Sequence, residues 1–135
     1  MYLLDSNAWI ALFRQKSATL IAELSRRRAA EIVLCPIVLA ELWYAVCRSD
    51  VAYRPANQKL VEELRAKYVS VPLDDIAALG AAELRAELAA KGQLIGPHDI
   101  LIAAIARTRS ITLVTHNKAE FSRVRGLMIA DWQGP

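Results

Sequence analysis

Cysteine is nearly absent: the 135-residue chain has two, Cys35 and Cys47, in no CxxC spacing. That excludes a disulfide framework, and both residues are expected as small core residues of a protein in a reducing compartment. Glycine and proline are sparse as well, five of each, which excludes low complexity and favours regular structure. No apolar run approaches the roughly 20 residues needed to cross a bilayer, so no membrane association is expected. The opening Met1-Tyr2-Leu3-Leu4-Asp5 places an acid where a secretory signal needs a basic stretch followed by a long apolar one. A cytoplasmic location is the expectation. Charge of one sign is also scarce: 17 Lys and Arg against 14 Asp and Glu leave a formal +3. So mild an excess eases the approach of an anionic partner without identifying one. The basic run Arg26-Arg27-Arg28 reads as a solvated helix end, with a nucleic-acid contact as the alternative.

What is present is apolar and regular, with 55% of residues hydrophobic. A chain of this length buries one core without disulfides or a structural metal, so a single domain over 1–135 is expected. Short β-like runs at Tyr2–Leu4, Ile32–Leu34, Val69–Val71 and Ile111–Val114 resemble strands covered on both faces. Helical stretches near 7–14, 17–29, 37–49, 55–67, 75–90 and 98–108 alternate with them. Gly92 is a natural stop for one helix, and Pro97 suits the first turn of the next. This alternation predicts a three-layer α/β sandwich with a mainly parallel central sheet flanked by helices.

Certain carboxylates lie in apolar places. Asp5 directly follows the first strand, where open α/β sheets bind ligands, but Asp-Ser-Asn is equally good as a helix N-cap. Glu41 sits in Pro36-Ile-Val-Leu-Ala-Glu41-Leu-Trp-Tyr-Ala-Val46, with Ile37, Val38, Tyr44 and Ala45 as its helical neighbours. Burying an unpaired carboxylate is costly, so Glu41 is protonated, pairs with a cation such as an Arg, or faces a polar pocket. Asp99 opens an apolar helix that runs through Ala106; the helix macrodipole explains an acid there, and so does a buried cleft. If the three share one cleft, their repulsion calls for a cation, and a hard divalent ion with oxygen ligands is the economical answer. Spacing alone does not show whether they converge. Asp75 and Glu83 have solvated helical settings and are left outside. His98 and His116 lack the companion ligands a zinc site needs.

In order and spacing the chain resembles the PIN-domain ribonucleases, specifically the VapC toxins of bacterial type II toxin–antitoxin pairs. The marks are Leu4-Asp5-Ser6-Asn7, Ala40-Glu41, Gly96-Pro97-His98-Asp99, Leu113-Val114-Thr115-His116-Asn117 with Glu120-Phe121, and Gly126-Leu-Met-Ile-Ala-Asp131-Trp132. The resemblance runs almost end to end. It implies that Asp5, Glu41 and Asp99 are active-site acids, with Asp5 and Asp99 the direct ligands of Mg²⁺ (Mn²⁺ as substitute). It places Asn117 where a fourth acid often stands, and there an amide oxygen would hold a second metal less well. Ser6 and Thr115, at the ends of the first and last core strands, would bind a phosphate, support a carboxylate, or serve only as cap and turn residues.

The implied activity is metal-dependent endoribonuclease cleavage of structured RNA, tRNA or rRNA, with Lys118 and Arg123 among the residues holding the RNA backbone. The implied partners are a VapB-like antitoxin and a second copy of the chain, within a homodimer or a higher toxin–antitoxin assembly. Trp9, Trp43 and Tyr44 would supply either dimer surface or core. The alternative function, motivated by Asn117, is a catalytically weak or inactive protein that binds the antitoxin and regulates. A phosphoryl-accepting domain using Asp5 is a third reading. It lacks both a second acid at Asn7 and a phosphate-binding Gly-x-x-x-x-Gly-Lys loop.

Overall fold

The computed structural model describes residues 1–134. Five strands, β1 (Tyr2–Leu4), β2 (Ile32–Leu34), β3 (Val69–Ser70), β4 (Thr112–Val114) and β5 (Ile129–Ala130), form one sheet in the order β3-β2-β1-β4-β5. Every pairing is parallel; Leu3, for example, lies beside Val33 on one side and Leu113 on the other. Among the described residues seven α-helices connect them: α1 (Ser6–Phe13), α2 (Ala18–Ser25), α3 (Pro36–Cys47), α4 (Arg54–Lys67), α5 (Asp75–Ala90), α6 (Pro97–Thr108) and α7 (Lys118–Phe121). The chain grows from β1 toward β2 and β3, then returns to the other side of β1 for β4 and β5. The strand order therefore reverses between β1 and β4, and a crevice opens there beyond their carboxyl ends.

Local chemistry sets the helix starts. Asp5 and Asp74 cap α1 and α5 by accepting the backbone N–H of Ala8 and Ala77. Pro36 and Pro97 occupy the first turns of α3 and α6, where a missing N–H costs nothing. Gly92 follows α5 at φ +64°, a left-handed conformation that only glycine adopts freely. The core gathers β1, β2 and β4 with Trp9, Leu20, Leu42, Leu84, Leu88, Ile102, Ile105 and Phe121, all buried. Gly80 lets α5 approach α6 closely, because a Cβ there would lie 2.8 Å from Thr108 Cγ2.

The expected three-layer α/β sandwich is the observed fold, and its strands 1, 2 and 4 are covered as anticipated. Several expectations need correction. β3 is an exposed sheet edge, with Val69 open to solvent. The second helix ends at Ser25 instead of 29, and a 3₁₀ turn over Ala29–Glu31 follows. α7 and β5 were not anticipated, since elements of four and two residues carry no readable period. Cys35 is buried but Cys47, at the end of α3, is exposed. Trp9 is core and cannot be dimer surface; Trp43 is half-buried, and of the three aromatics only Tyr44 is exposed. Arg26 and Arg28 are solvated as expected. Arg27 is half-buried instead, stacked over Tyr2 and Trp132 at 4.6 and 4.2 Å from their ring centroids.

Candidate active site

Asp5 leaves β1 at the strand-order reversal, and its own N–H is bonded to Val114 O of β4. The carboxylate is 5% exposed and held at both oxygens. Ala8 N–H donates to Oδ1 at 2.8 Å, and the Thr115 hydroxyl donates to Oδ2 at 2.6 Å. Cap and pocket carboxylate are thus one role: the bond that starts α1 also aims the side chain. Burial raises the Asp5 pKa, hydrogen bonds from Thr115 and Ala8 oppose the rise, and the charges of Glu41 and Asp131 add to it. Thr115 is itself buried, and its oxygen accepts Asn117 N–H at 3.0 Å. Support of a carboxylate is therefore what the Thr115 hydroxyl does. Ser6 is buried in the first turn of α1.

Asp99 stands in the first turn of α6, and Gly96 gives its carboxylate room, because a Cβ there would come within 3.4 Å of Oδ2. Its pKa is raised to about 6. Burial is the main cause, followed by the charges of Glu120, Glu41 and Asp5 and a hydrogen bond with Glu120 that needs a protonated carboxyl. Glu41 is half-buried on α3, and its Oε1 is enclosed with no hydrogen-bond partner. Among the described residues no Lys or Arg pairs with it, so the salt-bridge explanation of Glu41 fails.

The crevice at the reversal point holds about 350 Å³ and is lined by Asp5, Asn7, His116, Asn117 and Gln133. Asp5 and Asn117 thus open directly onto it, while the charge of Glu41 reaches both Asp5 and Asp99 and raises the proton affinity of each. Asn117 caps α7 in sequence position, and its Nδ2 donates to Glu120 Oε2 at 3.2 Å. The amide therefore positions an acid three residues on, and Glu120, not chosen from the sequence, joins Asp99. An Asn followed three residues later by Glu is a recognisable helix-start pattern and could have flagged it. Asp131 is the second acid missed; it follows β5, an element invisible in the sequence. Burial alone would raise its pKa, but the Gln133 N–H and the neighbouring His116 hold it below the ordinary carboxylate value.

Among the described residues, no group of three or more His, Cys, Asp or Glu side chains is arranged to hold a metal ion as it stands. A hard divalent ion commonly takes only one or two carboxylates and keeps several waters. The orphaned Glu41 oxygen and the raised Asp5 and Asp99 suit such an ion. His98 is exposed in the first turn of α6, and His116 is turned to Asp131, an arrangement that does not suit zinc. Of the expected basic contacts, Lys118 lies 3.5 Å from Asp131, whereas Arg123 donates to Leu94 O in the loop before α6. Asp75 and Glu83 are exposed on α5. A separate cavity of about 390 Å³ lies between α1, α3 and α4, with an apolar lining that includes Ile10, Phe13, Leu42 and Leu60 and with Arg14 and Arg48 around it. It contains none of the acids.

The PIN domain family model matches residues 2–127. A tRNA(fMet)-specific endonuclease VapC of Shigella flexneri is 33% identical over 131 residues, covering 97% of each chain. Its counterpart from Salmonella typhimurium is 34% identical over the same length and coverage. In three dimensions the chain is similar to a chain of the DNA-bound VapBC structure from Salmonella typhimurium, at TM-score 0.89, 32% identity and 97% coverage of both chains.

Proposed function

The chain belongs to the PIN-domain family, on its VapC branch, and from that premise we propose that it is a metal-dependent endoribonuclease toxin that hydrolyses phosphodiester bonds in tRNA. The observation that carries the chemistry is the Glu41 oxygen enclosed without a partner beside two carboxyls, Asp5 and Asp99, whose proton affinity is raised. Among the described residues no Lys or Arg pairs with Glu41, and we assign the balancing charge to a divalent ion; Mg²⁺ would fit, with Mn²⁺ as substitute. Asp5 and Asp99 would hold it, and Glu41 would bind it as well or orient a water. Such an ion, when bound, lowers the pKa of water and polarises a phosphate oxygen.

The protein's own part is preorganisation. Thr115 and the Ala8 N–H lock the Asp5 carboxylate, so no reorientation is needed when the substrate arrives. Asn117 holds Glu120 beside Asp99, and Glu120 takes the place of the missing fourth acid. That arrangement weakens the case for an inactive regulator, which rested on Asn117. Two relatives of more than 30% identity are named for tRNA(fMet), which favours tRNA over rRNA. The test is cleavage of tRNA and of an rRNA fragment by the wild type, Asp5→Asn and Asp99→Asn in Mg²⁺. Equal rates for wild type and variants would end the metal mechanism, and cleavage of the rRNA fragment alone would move the substrate.

The solved relative from Salmonella is a VapBC complex, and we assign this chain a VapB-like antitoxin in the same way. Its tail is expected to bring an Arg or Lys into the acidic crevice, the cation the carboxylates lack. Truncating that tail should release nuclease activity. A homodimer is proposed with it, Tyr44 being the aromatic that offers surface. No helix among the described residues is long and apolar enough to cross a membrane.

A further inference from the structure

Asp131 is an acid beside the crevice for which the cutting chemistry has no use. Its side chain is 8% exposed, and its Oδ1 is fixed by the Gln133 N–H at 3.0 Å. Its Oδ2 meets two side chains at once, His116 Nδ1 at 2.9 Å and Lys118 Nζ at 3.5 Å. Those partners come from the segment after β4, and Asp131 comes from the end of β5. The Thr115 N–H bond to Ala130 O, 2.9 Å long, ties the two segments side by side. The next residue, Trp132, is buried beneath Tyr2 and Arg27, with ring centroids of Tyr2 and Trp132 5.0 Å apart, so the carboxylate stands on a rigid base.

We propose that Asp131 is a positioning residue for substrate, holding His116 and Lys118 at the mouth of the crevice so that they bind an RNA backbone phosphate next to the one that is cut. The inference rests on the ribonuclease reading and extends it. His116 lines the crevice together with Asp5. His116 and Lys118 are 57% and 62% exposed, so the pair adds little to stability yet remains open to a ligand. A crevice crowded with carboxylates repels a polyanion, and a tethered cation at its mouth offsets that repulsion where the strand enters. Tethering also removes much of the freedom a lysine would otherwise lose on binding.

The experiment is to measure KM, kcat and the salt dependence of tRNA cleavage for the wild type, Asp131→Asn, Lys118→Gln and His116→Ala, and for Asp131→Asn in a His116→Ala/Lys118→Gln background. Lys118→Gln is expected to raise KM about fivefold with kcat within about twofold, the mark of lost binding and not of lost chemistry. It should also make the slope of log affinity against log salt shallower by about 0.7, the share of one phosphate contact on a single strand. Asp131→Asn is the decisive variant. By charge alone, removing an anion would tighten binding to RNA; a positioning role predicts a KM raised about threefold, and no further change in the doubly substituted background. An unchanged or lowered KM for Asp131→Asn overturns the proposal. So does an unchanged salt slope for Lys118→Gln, which is exposed and serves even if Asp131→Asn folds poorly. If the wild type cuts no RNA, the ribonuclease reading falls and this inference with it; if the wild type cuts and the variants keep its KM, this inference alone fails.

Discussion

Two regions of this molecule treat charge in opposite ways. Around Arg27 every charge is answered: the guanidinium pairs with Glu23 at 2.8 Å, donates to Glu23 O, and covers the faces of Tyr2 and Trp132. Around the crevice the charges of Glu120, Glu41 and Asp5 all raise the proton affinity of Asp99, and among the described residues Glu41 keeps an enclosed oxygen with no partner. The first arrangement fastens the C-terminal segment to the sheet. The second costs stability in the free protein and is relieved only by something from outside, a cation or a partner's basic side chain. Unanswered charge marks function here, and answered charge marks scaffold.

The sharpest way to break that contrast is to remove one crowded carboxylate. Asp99→Asn should lower the rate of tRNA cleavage about 10³-fold, a loss of about 4 kcal/mol in transition-state stabilisation. Yet in metal-free buffer its melting temperature should equal or exceed that of wild type; a marked drop would show the acid to be scaffold after all. Trp132→Ala tests the other region and should cost about 3 kcal/mol of stability, read from denaturant unfolding, since a buried indole leaves a large cavity. Mg²⁺ should still raise the melting temperature of that variant. Next comes Thr115→Val, which keeps the shape but removes the hydroxyl donor to Asp5. Loss of such an orienting partner should reduce activity about tenfold and weaken Mg²⁺ binding, measured calorimetrically.

The smallest effect is the pH dependence of the metal-free protein. Asp99 titrates near 6 when folded against an ordinary 3.8, so the folded chain takes up its proton more readily than the unfolded one. The stabilisation is complete below about pH 4 and is lost as pH rises through about 6; Asp5 acts in the same direction. Because Asp99 is only half-buried, solvent screening should hold the gain to about 1 kcal/mol or less. Thermal melts at pH 5 and pH 7 should differ by a few degrees at about that size, with Asp99→Asn flattening the difference. Mg²⁺, which needs the ionised carboxylates, should favour the higher pH and reverse the trend. A wild type less stable at pH 5 than at pH 7 without metal would contradict the crowding.

Much of this was legible in the chain. Covered strands such as Ile32–Leu34 read as unbroken β-branched and aliphatic runs, and α5 and α6 carried their own start and stop residues. Glu41 was conspicuous because a charge on an apolar helical face has few explanations. Glu120 and Asp131 were not, since an acid in a polar stretch looks solvated until a neighbour is placed beside it. β5 escaped for the same reason: two residues acquire meaning only from Leu113 and Val114 on the adjoining strand.

By itself the sequence determined the longer helices and the covered strands β1, β2 and β4, because hydrophobic period, caps and turn residues act over a few neighbours. It also determined that Asp5, Glu41 and Asp99 would be expensive to bury. Only the tertiary structure decided that the expense falls in one place. The reversal of strand order between β1 and β4 draws together residues more than a hundred positions apart, such as Asp5 and Thr115, and electrostatic energy depends on distance through space, not along the chain.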